Sequence, residues 1–319
     1  AGEAPRRAMA DAIAVRGAGF GSEPRALKAA DFGSPLPGMP PADSTAAHDQ
    51  RNRALLRTLD ALERASPTAR YHKLAQENLA RWQREARPSP DRCVVRVLPG
   101  DWGAVTYDMT KEFGVTFAAL NMANAFAPGG GYTHGMVAQE ENMFRRTDCH
   151  FSLSPDQLDA EREEYTEEMT TLLSGNAEGQ VYLDVDCPRV CICGPEDRGS
   201  PSLGYEMLPD EEVFPFYELR AAAVDLRGVR EGFDQAEMER RIAAQLDTLI
   251  AHNVRYAVLS AFGCGAFMNP AGKVAAIYKE QLATRLEHFD VIVFAIFNAG
   301  YGPDNFIPFE ETFGGRCRA

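Results

Sequence analysis

The sequence predicts an α/β fold in which helices cover a central sheet. Short apolar runs alternate with helical patterns through the second half of the chain, and two of these runs end in glycine-rich loops. Alternating strands and helices are typical of layered α/β proteins with a mostly parallel sheet. Buried strands of such sheets are continuously apolar, and VTFAALN at 115–121 and VIVFAIF at 291–297 fit this pattern.

The first part of the chain has a different organisation. Residues 1–44 are rich in Ala, Gly, Pro and Arg without a sustained period, which indicates a flexible segment. Two helical patterns lie within residues 45–92; Ser44 caps the first and Ser66 begins the second, and they predict a packed pair of helices. The chain therefore divides into a flexible segment (1–44), a helical extension (45–92) and a main domain (93–319).

Periodicity predicts the elements of the main domain. Strands are expected at 93–98, 115–121, 181–185, 190–193, 216–224, 256–262 and 291–297. Helices are expected from about Gln139, through the acidic segment 155–173, at 234–249 after a capping Asp234, and at 272–286.

Composition excludes several classes of protein. The chain has 319 residues and a formal net charge of -13, and this excess of acid argues against binding along a nucleic-acid backbone. No apolar stretch approaches the length of a membrane span, and the start of the chain lacks the apolar core of a signal peptide. With seven cysteines, an odd number, these features predict an intracellular protein, cytoplasmic or nuclear. Cys191 and Cys193 lie in an apolar run and are expected to be core thiols rather than zinc ligands.

Two glycine-rich loops follow buried strands. The first is NAFAPGGG at 124–131 and the second is GCGAF at 263–267. In open α/β sheets, ligands bind beyond the carboxyl ends of the strands, and a bare glycine backbone lets amide groups approach an anion. Neither loop fits a P-loop or a dinucleotide-binding fingerprint. Either loop alone would be interpreted as a tight turn, whereas two in equivalent positions favour a binding site.

The first loop continues into a pair of glutamates. Seven residues separate Gly131 from Gln139, Glu140 and Glu141. This spacing resembles the signature of the poly(ADP-ribose) glycohydrolases, which are macrodomain enzymes. Asn124 and the downstream GCGAF resemble the microbial branch of that family. The resemblance covers roughly residues 45–313 and implies a macrodomain-like three-layer mixed sheet, flanked by helices, with an N-terminal helical extension.

The resemblance also implies a role for each site residue. Glu141 would be the general acid that later activates water, and Glu140 would bind ribose hydroxyls. Gln139 would support this geometry, and Asn124 would hydrogen-bond the ribose being cleaved. The other implied substrate-binding residues enclose the diphosphate or, in the last case, stack on adenine: Gly129, Gly130, Gly131, Gly263, Cys264, Gly265, Ala266, Phe267 and Phe297.

The residue types suit the chemistry. Cleavage at the anomeric carbon passes through an oxocarbenium-like transition state, and the leaving oxygen needs a proton that a carboxylic acid can supply. A neighbouring carboxylate and burial raise the pKa of such an acid, whereas a helix N-terminus lowers it, so the direction of the shift for Glu140 and Glu141 stays open. Acidic residues in the first turn of a helix are also common without any catalytic role.

The predicted activity is hydrolysis of the ribosyl O-glycosidic bond of poly(ADP-ribose), with release of ADP-ribose and without a metal or cofactor. The expected partners are ADP-ribose, its polymer and ADP-ribosylated proteins. Alternatives are a hydrolase of mono-ADP-ribosylated proteins that uses the same pocket, a non-catalytic ADP-ribose reader, and a nucleotide-binding enzyme of unrelated chemistry. Arg145 and Arg146 are expected to solvate a helix or, alternatively, to contact phosphate, and His134 is expected to face solvent. The segment 194–215 is a candidate for the mouth of the site.

Overall fold

The computed structural model describes residues 44–159, 161–227, 232–298 and 302–314. Its helices are α1 (Thr45–Ala65), α2 (Arg70–Gln83), α3 (Trp102–Phe113), α4 (Gln139–Arg146), α5 (Glu167–Leu173), α6 (Gln235–Ala251), α7 (Ala271–Ala283) and α8 (Phe306–Phe313). Its strands are β1 (Val94–Pro99), β2 (Ala118–Ala123), β3 (Leu158–Asp159), β4 (Glu164–Tyr165), β5 (Tyr182–Leu183), β6 (Arg189–Cys191), β7 (Phe214–Ala222), β8 (Tyr256–Leu259) and β9 (Val291–Ile296). Apart from Ser44, the predicted flexible segment lies outside the described residues.

The central sheet is mostly parallel, as predicted. Its strand order is β1-β9-β8-β2-β7-β5, and β6 also pairs with β7. Strands β1, β9, β8, β2 and β7 run parallel to one another, whereas β5 and β6 are antiparallel to β7. The carboxyl ends of the five parallel strands therefore meet at one edge of the sheet.

Helices cover both faces of this sheet. Successive strand residues point to opposite faces, so that Leu120 packs with α6, α7 and α8 while Ala119 packs with α3 and α4. The same alternation divides β9, where Phe294 joins the cluster of Leu120 and Val293 packs in a separate cluster with residues of α3. The predicted α/β layering, with helices on a central sheet, is confirmed.

The N-terminal helices pack directly onto the main domain. Ser44 caps α1 by accepting a hydrogen bond from the Ala47 amide, as the sequence predicts. Leu55 and Leu59 of α1 and Trp82 of α2 share a buried cluster with Phe216 of β7. The predicted start of the second helix at Ser66 is a 3-10 turn, and α2 begins only after a left-handed residue at position 69.

The structure departs from the sequence prediction in four places. The acidic segment 155–173 is not one helix: Leu158–Asp159 and Glu164–Tyr165 form a short hairpin, and helix begins at Glu167, where the Thr166 side chain caps it. The hairpin is held because the Tyr165 amide donates to the Phe126 carbonyl. Strand β2 spans 118–123 instead of 115–121. Helices α3 and α8 were not predicted.

Two further predictions concern the cysteines and membrane spans. Cys191 and Cys193 are buried and belong to the core, as expected of structural thiols. Among the described helices, none combines the length and the apolar composition that crossing a membrane requires.

Candidate active site

A cavity of about 660 Å³ opens at the carboxyl edge of the sheet. The residues directly after four parallel strands line it: Asn124 after β2, Ala223 after β7, Ser260 after β8 and Phe297 after β9. Ligands of open α/β sheets bind at this position, because loops and helix N-termini converge there. The two glycine-rich loops thus meet at one cavity, as the sequence predicts.

Glu140 and Glu141 lie in the first turn of α4 and both line the cavity. They are 3% and 8% exposed. Glu140 Oε2 accepts a hydrogen bond of 2.7 Å from the Asn124 amide, and Glu141 Oε1 accepts one of 2.9 Å from the Gly131 amide. Within the described chain, Glu140 Oε1 and Glu141 Oε2 are buried without a hydrogen-bond partner. Each carboxyl group is therefore anchored by one oxygen and keeps the other for a ligand.

The surroundings of Glu140 favour its neutral form. Burial, followed by the charge of Glu141, raises the pKa of Glu140 well above its ordinary value. The hydrogen bond from the Asn124 amide and the charge of Arg220 act in the opposite direction but do not cancel the rise. Two neighbouring carboxylates in a buried site resist double ionisation, so Glu140 holds its proton more tightly than an isolated glutamate does.

The glycines of the first loop make room for the carboxylates. Gly130 has a φ of 60°, and a Cβ at this position would lie 2.5 Å from Glu141 Oε1 and 3.1 Å from Glu140 Oε2. The Gly131 amide is used by Glu141, and the Gly130 amide donates to the Ala127 carbonyl. Two of the three amides predicted to hold a diphosphate are thus bonded within the protein. Gly129 is not among the residues that line the cavity.

Gln139 fastens the start of α4 to strand β2. Its Oε1 accepts a hydrogen bond from the Met122 amide, and its Nε2 donates one to the Leu120 carbonyl. The side chain thus bonds an amide and a carbonyl near the carboxyl end of β2. Asn124 also has a structural task, because its Oδ1 accepts from two amides of the following turn. Only its Nδ2 remains for the predicted bond to the ribose.

The second loop forms the opposite wall. Gly263, Gly265, Ala266 and Phe267 line the cavity, whereas Cys264 is buried in the core. A Cβ at Gly265 would meet nothing within 4 Å, so the backbone there is open to a ligand. Phe297, predicted to stack on adenine, lines the cavity and is 53% exposed, which leaves a ring face available.

The expectation that Arg145 and Arg146 solvate a helix was wrong. Arg145 and Arg146 are both buried rather than solvating the helix. Arg145 donates to the carbonyls of Tyr132 and Met136, just after the first loop, and Arg146 donates to the Cys193 carbonyl and pairs with Asp101. From the local pattern alone, charged residues on a helix are expected to be exposed, and only the packed structure shows the carbonyls to which Arg145 and Arg146 donate. His134 is exposed, as expected.

Sequence reasoning missed several residues that line the cavity. Asp101 caps α3, and its spacing from Gly114, which ends that helix, was a usable signal. Glu196 and Arg198 bring the segment 194–215 to the cavity wall. Arg227 also lines the cavity, and nothing in its local sequence indicates this.

Comparison with known proteins gives a family match over part of the chain. Residues 46–173, which carry the glutamate pair, match the family model described as microbial-type PARG, catalytic domain. The match covers less than half of the chain and includes α4 with its two glutamates. No functionally curated protein matches the chain significantly.

The PARG-type fold also recurs in solved structures. A poly(ADP-ribose) glycohydrolase from Thermomonospora curvata is 21% identical at a TM-score of 0.58, with 83% of this chain and 100% of that chain covered. The same enzyme bound to the inhibitor ADP-HPD is 23% identical at a TM-score of 0.54, with the same coverage. A Deinococcus radiodurans enzyme in complex with ADP-ribose is 20% identical at a TM-score of 0.52, covering 77% of this chain and 92% of that one. At these identities, the likeness establishes a shared fold.

Proposed function

We propose that this protein is a poly(ADP-ribose) glycohydrolase that cleaves the ribosyl O-glycosidic bond and releases ADP-ribose. The observation that carries the proposal is the buried Glu140–Glu141 pair, which presents two unpartnered carboxyl oxygens to one cavity at the carboxyl edge of the sheet. The family match over residues 46–173 and the enzyme names of the similar structures support it.

The two glutamates take different parts in the proposed reaction. Glu141 protonates the leaving oxygen as the oxocarbenium-like transition state develops, and then activates the water that completes hydrolysis. Glu140, whose raised pKa favours a protonated carboxyl, holds the hydroxyls of the ribose being cleaved. Gln139 and the Gly131 amide keep this geometry by fastening α4 to β2 and Glu141 to the first loop.

The decisive test is Glu141→Gln, which keeps the size of the side chain and removes the proton donor. We expect ADP-ribose affinity to stay within a few-fold of wild type while release of ADP-ribose from polymer becomes undetectable. Glu140→Gln is the matched comparison and should raise KM, because it changes the group that holds the ribose. Turnover retained in Glu141→Gln would overturn the assignment of the acid.

Two alternative functions would use the same cavity, and the products that the protein releases distinguish them from the proposed one. A hydrolase of mono-ADP-ribosylated proteins would release ADP-ribose from a modified protein and leave the polymer intact. A non-catalytic reader would show saturable binding and no free ADP-ribose. A time course with both substrates, analysed by mass, distinguishes the three. Stronger binding of ADP-ribose than of ATP and NAD would count against an unrelated nucleotide enzyme.

The resemblance of the GGG–QEE segment supports further proposals. The sheet and its helices form a macrodomain, which begins near residue 93, after the helical extension. The protein acts inside the cell, where it reverses ADP-ribosylation in the DNA damage response.

A further inference from the structure

The cavity carries more acid than base, although the proposed ligand is itself an anion. Among its described lining residues, the acidic ones are Asp101, Glu140, Glu141, Glu163, Glu164 and Glu196. The basic ones are Arg162, Arg198 and Arg227. A diphosphate beside the glutamate pair needs a nearby cation or amide donors to offset repulsion. The amides of the first loop are partly used within the protein, so the arginines become important.

Two of these arginines are poorly placed to hold an anion. The Arg162 side chain is 76% exposed on the β3–β4 hairpin and pairs with Asp159 at 3.6 Å. Arg198 donates to Glu196 Oε1, and the remaining charge of that carboxylate is offset by the buried Arg51. Solvent screens the first arginine, and a carboxylate on the cavity wall holds the second.

Arg227 is held beside the second glycine loop. Its Nε and Nη2 donate to both oxygens of Asp225, at distances from 2.6 to 3.0 Å, and this fixes the orientation of the guanidinium plane. The guanidinium carbon lies 5.2 Å from the centre of the Phe267 ring. The Leu226 amide donates to the Phe267 carbonyl, which ties this segment to the loop. Asp225 uses Nε and Nη2, so Nη1 still has donors for a ligand.

We propose that Arg227 binds the diphosphate of the ADP-ribosyl substrate, acting with the open backbone at Gly265. The proposal deepens the proposed function and rests on it. A guanidinium group offers planar, charged N–H donors that suit phosphate oxygens, and stacking on Phe267 pre-organises it. Arg227 thereby offers the diphosphate a charged donor whose own carboxylate partner, Asp225, does not line the cavity, unlike the Glu196 partner of Arg198. It makes the cavity selective for ligands that carry a diphosphate.

The test compares a charged and an uncharged ligand on the full chain. Arg227→Gln should weaken ADP-ribose binding at least tenfold, as expected for loss of a charge-assisted hydrogen bond, and should leave adenosine affinity within about twofold. Arg255→Gln is the matched control. Arg255 is also partly exposed and paired with an aspartate, Asp290, but it lies at the amino end of β8, on the opposite edge of the sheet. This variant should bind both ligands as wild type does.

Different outcomes separate this inference from the proposed function. Unchanged ADP-ribose affinity in Arg227→Gln, or an equal loss for adenosine, overturns the role of Arg227 and leaves the glycohydrolase proposal standing. Failure of the wild-type protein to bind ADP-ribose overturns both. The melting temperature of each variant is measured to show whether a loss of binding comes from unfolding.

Discussion

Gly130 illustrates how a single residue sets the geometry of the candidate site. Its φ of 60° lies in the left-handed region, where glycine is unstrained. The missing side chain leaves the space into which both glutamates project their carboxyl groups. The triple glycine therefore serves the acid pair directly, in addition to any contact that the loop makes with substrate.

Gly130→Ala should reduce activity far more than stability. The new Cβ would meet Glu141 Oε1, the mobile end of a side chain, so the carboxyl group moves while the fold adjusts cheaply. We expect kcat to fall about a hundredfold, the size of effect that a displacement near 1 Å can produce. Release of ADP-ribose from polymer measures this.

Gly179 provides a matched control for that substitution. It also has a positive φ, of 70°, but a Cβ there would meet nothing within 4 Å. Gly179→Ala should therefore show the same backbone strain, about 1 kcal/mol in the free energy of unfolding, with normal kcat. Equal activity losses in the two variants would show that strain, rather than displacement of Glu141, is responsible.

At the scale of elements, α1 is joined to the walls of the cavity by a buried arginine. Arg51 is fully buried, and its Nη1 donates to the Gly135 carbonyl, just after the first loop. Its Nε and Nη2 donate to the two oxygens of Glu196 at 3.0 and 2.9 Å. Burial alone would raise the pKa of Glu196, but the hydrogen bonds and charge of Arg51 lower it to about 2. The helical extension thus contributes to the site and is not an independent appendage.

Arg51→Met should destabilise the protein strongly, because it leaves the Glu196 charge buried without its main partner. We expect a loss of roughly 3–5 kcal/mol in the free energy of unfolding, measured by urea denaturation. Arg64→Met on the same helix is the control, since Arg64 pairs with Asp60 on the exposed surface and such pairs contribute little. Similar stabilities for the two variants would contradict the role of Arg51.

At the scale of the whole molecule, charge is buried at the centre of the fold. Glu218 and Arg220 of β7 are fully buried and paired at 2.8 Å, and Asn121 of β2 donates to Glu218 Oε1. This cluster lies close enough to Glu140 for both charges to affect its pKa. Buried charges therefore influence the protonation of Glu140. Through this group they affect how the stability of the whole protein varies with pH.

Glu140 should make the folded state less stable as pH rises. Its folded-state pKa lies above the ordinary value of 4.5 that applies when unfolded, so the native state binds this proton more tightly. The contribution of this proton to the free energy of unfolding is fully present below pH 4.5 and is lost as the pH rises through the folded-state pKa. Glu140→Gln should consequently gain stability relative to wild type as pH increases.

Urea unfolding of both proteins between about pH 4 and pH 8 measures the difference, and contributions from groups that do not interact with Glu140 cancel in the comparison. Parallel stability curves for wild type and Glu140→Gln would contradict the raised pKa.

Local pattern was sufficient for a large part of the fold. Strands β1, β7 and β9 were located within about two residues, because strand burial leaves a mostly apolar signature even where β7 carries Glu218 and Arg220. The capped helices α1 and α6 were also found. Helix α8 was not predicted because its apolar stretch lacks a side-chain cap. The short hairpin was not predicted because its acidic residues have the pattern of a solvated helix.

The sequence by itself determined which strand ends carry glycine-rich loops and which helix begins with the glutamate pair, since spacing along the chain decides both. Tertiary structure decided which oxygens of Glu140 and Glu141 remain unpartnered, and it raised the pKa of Glu140. It also buried Arg145 and joined Arg51 to Glu196 across 145 positions of sequence. Burial, charge pairing and hydrogen-bond satisfaction depend on neighbours that only the folded chain brings together, and no local period records them.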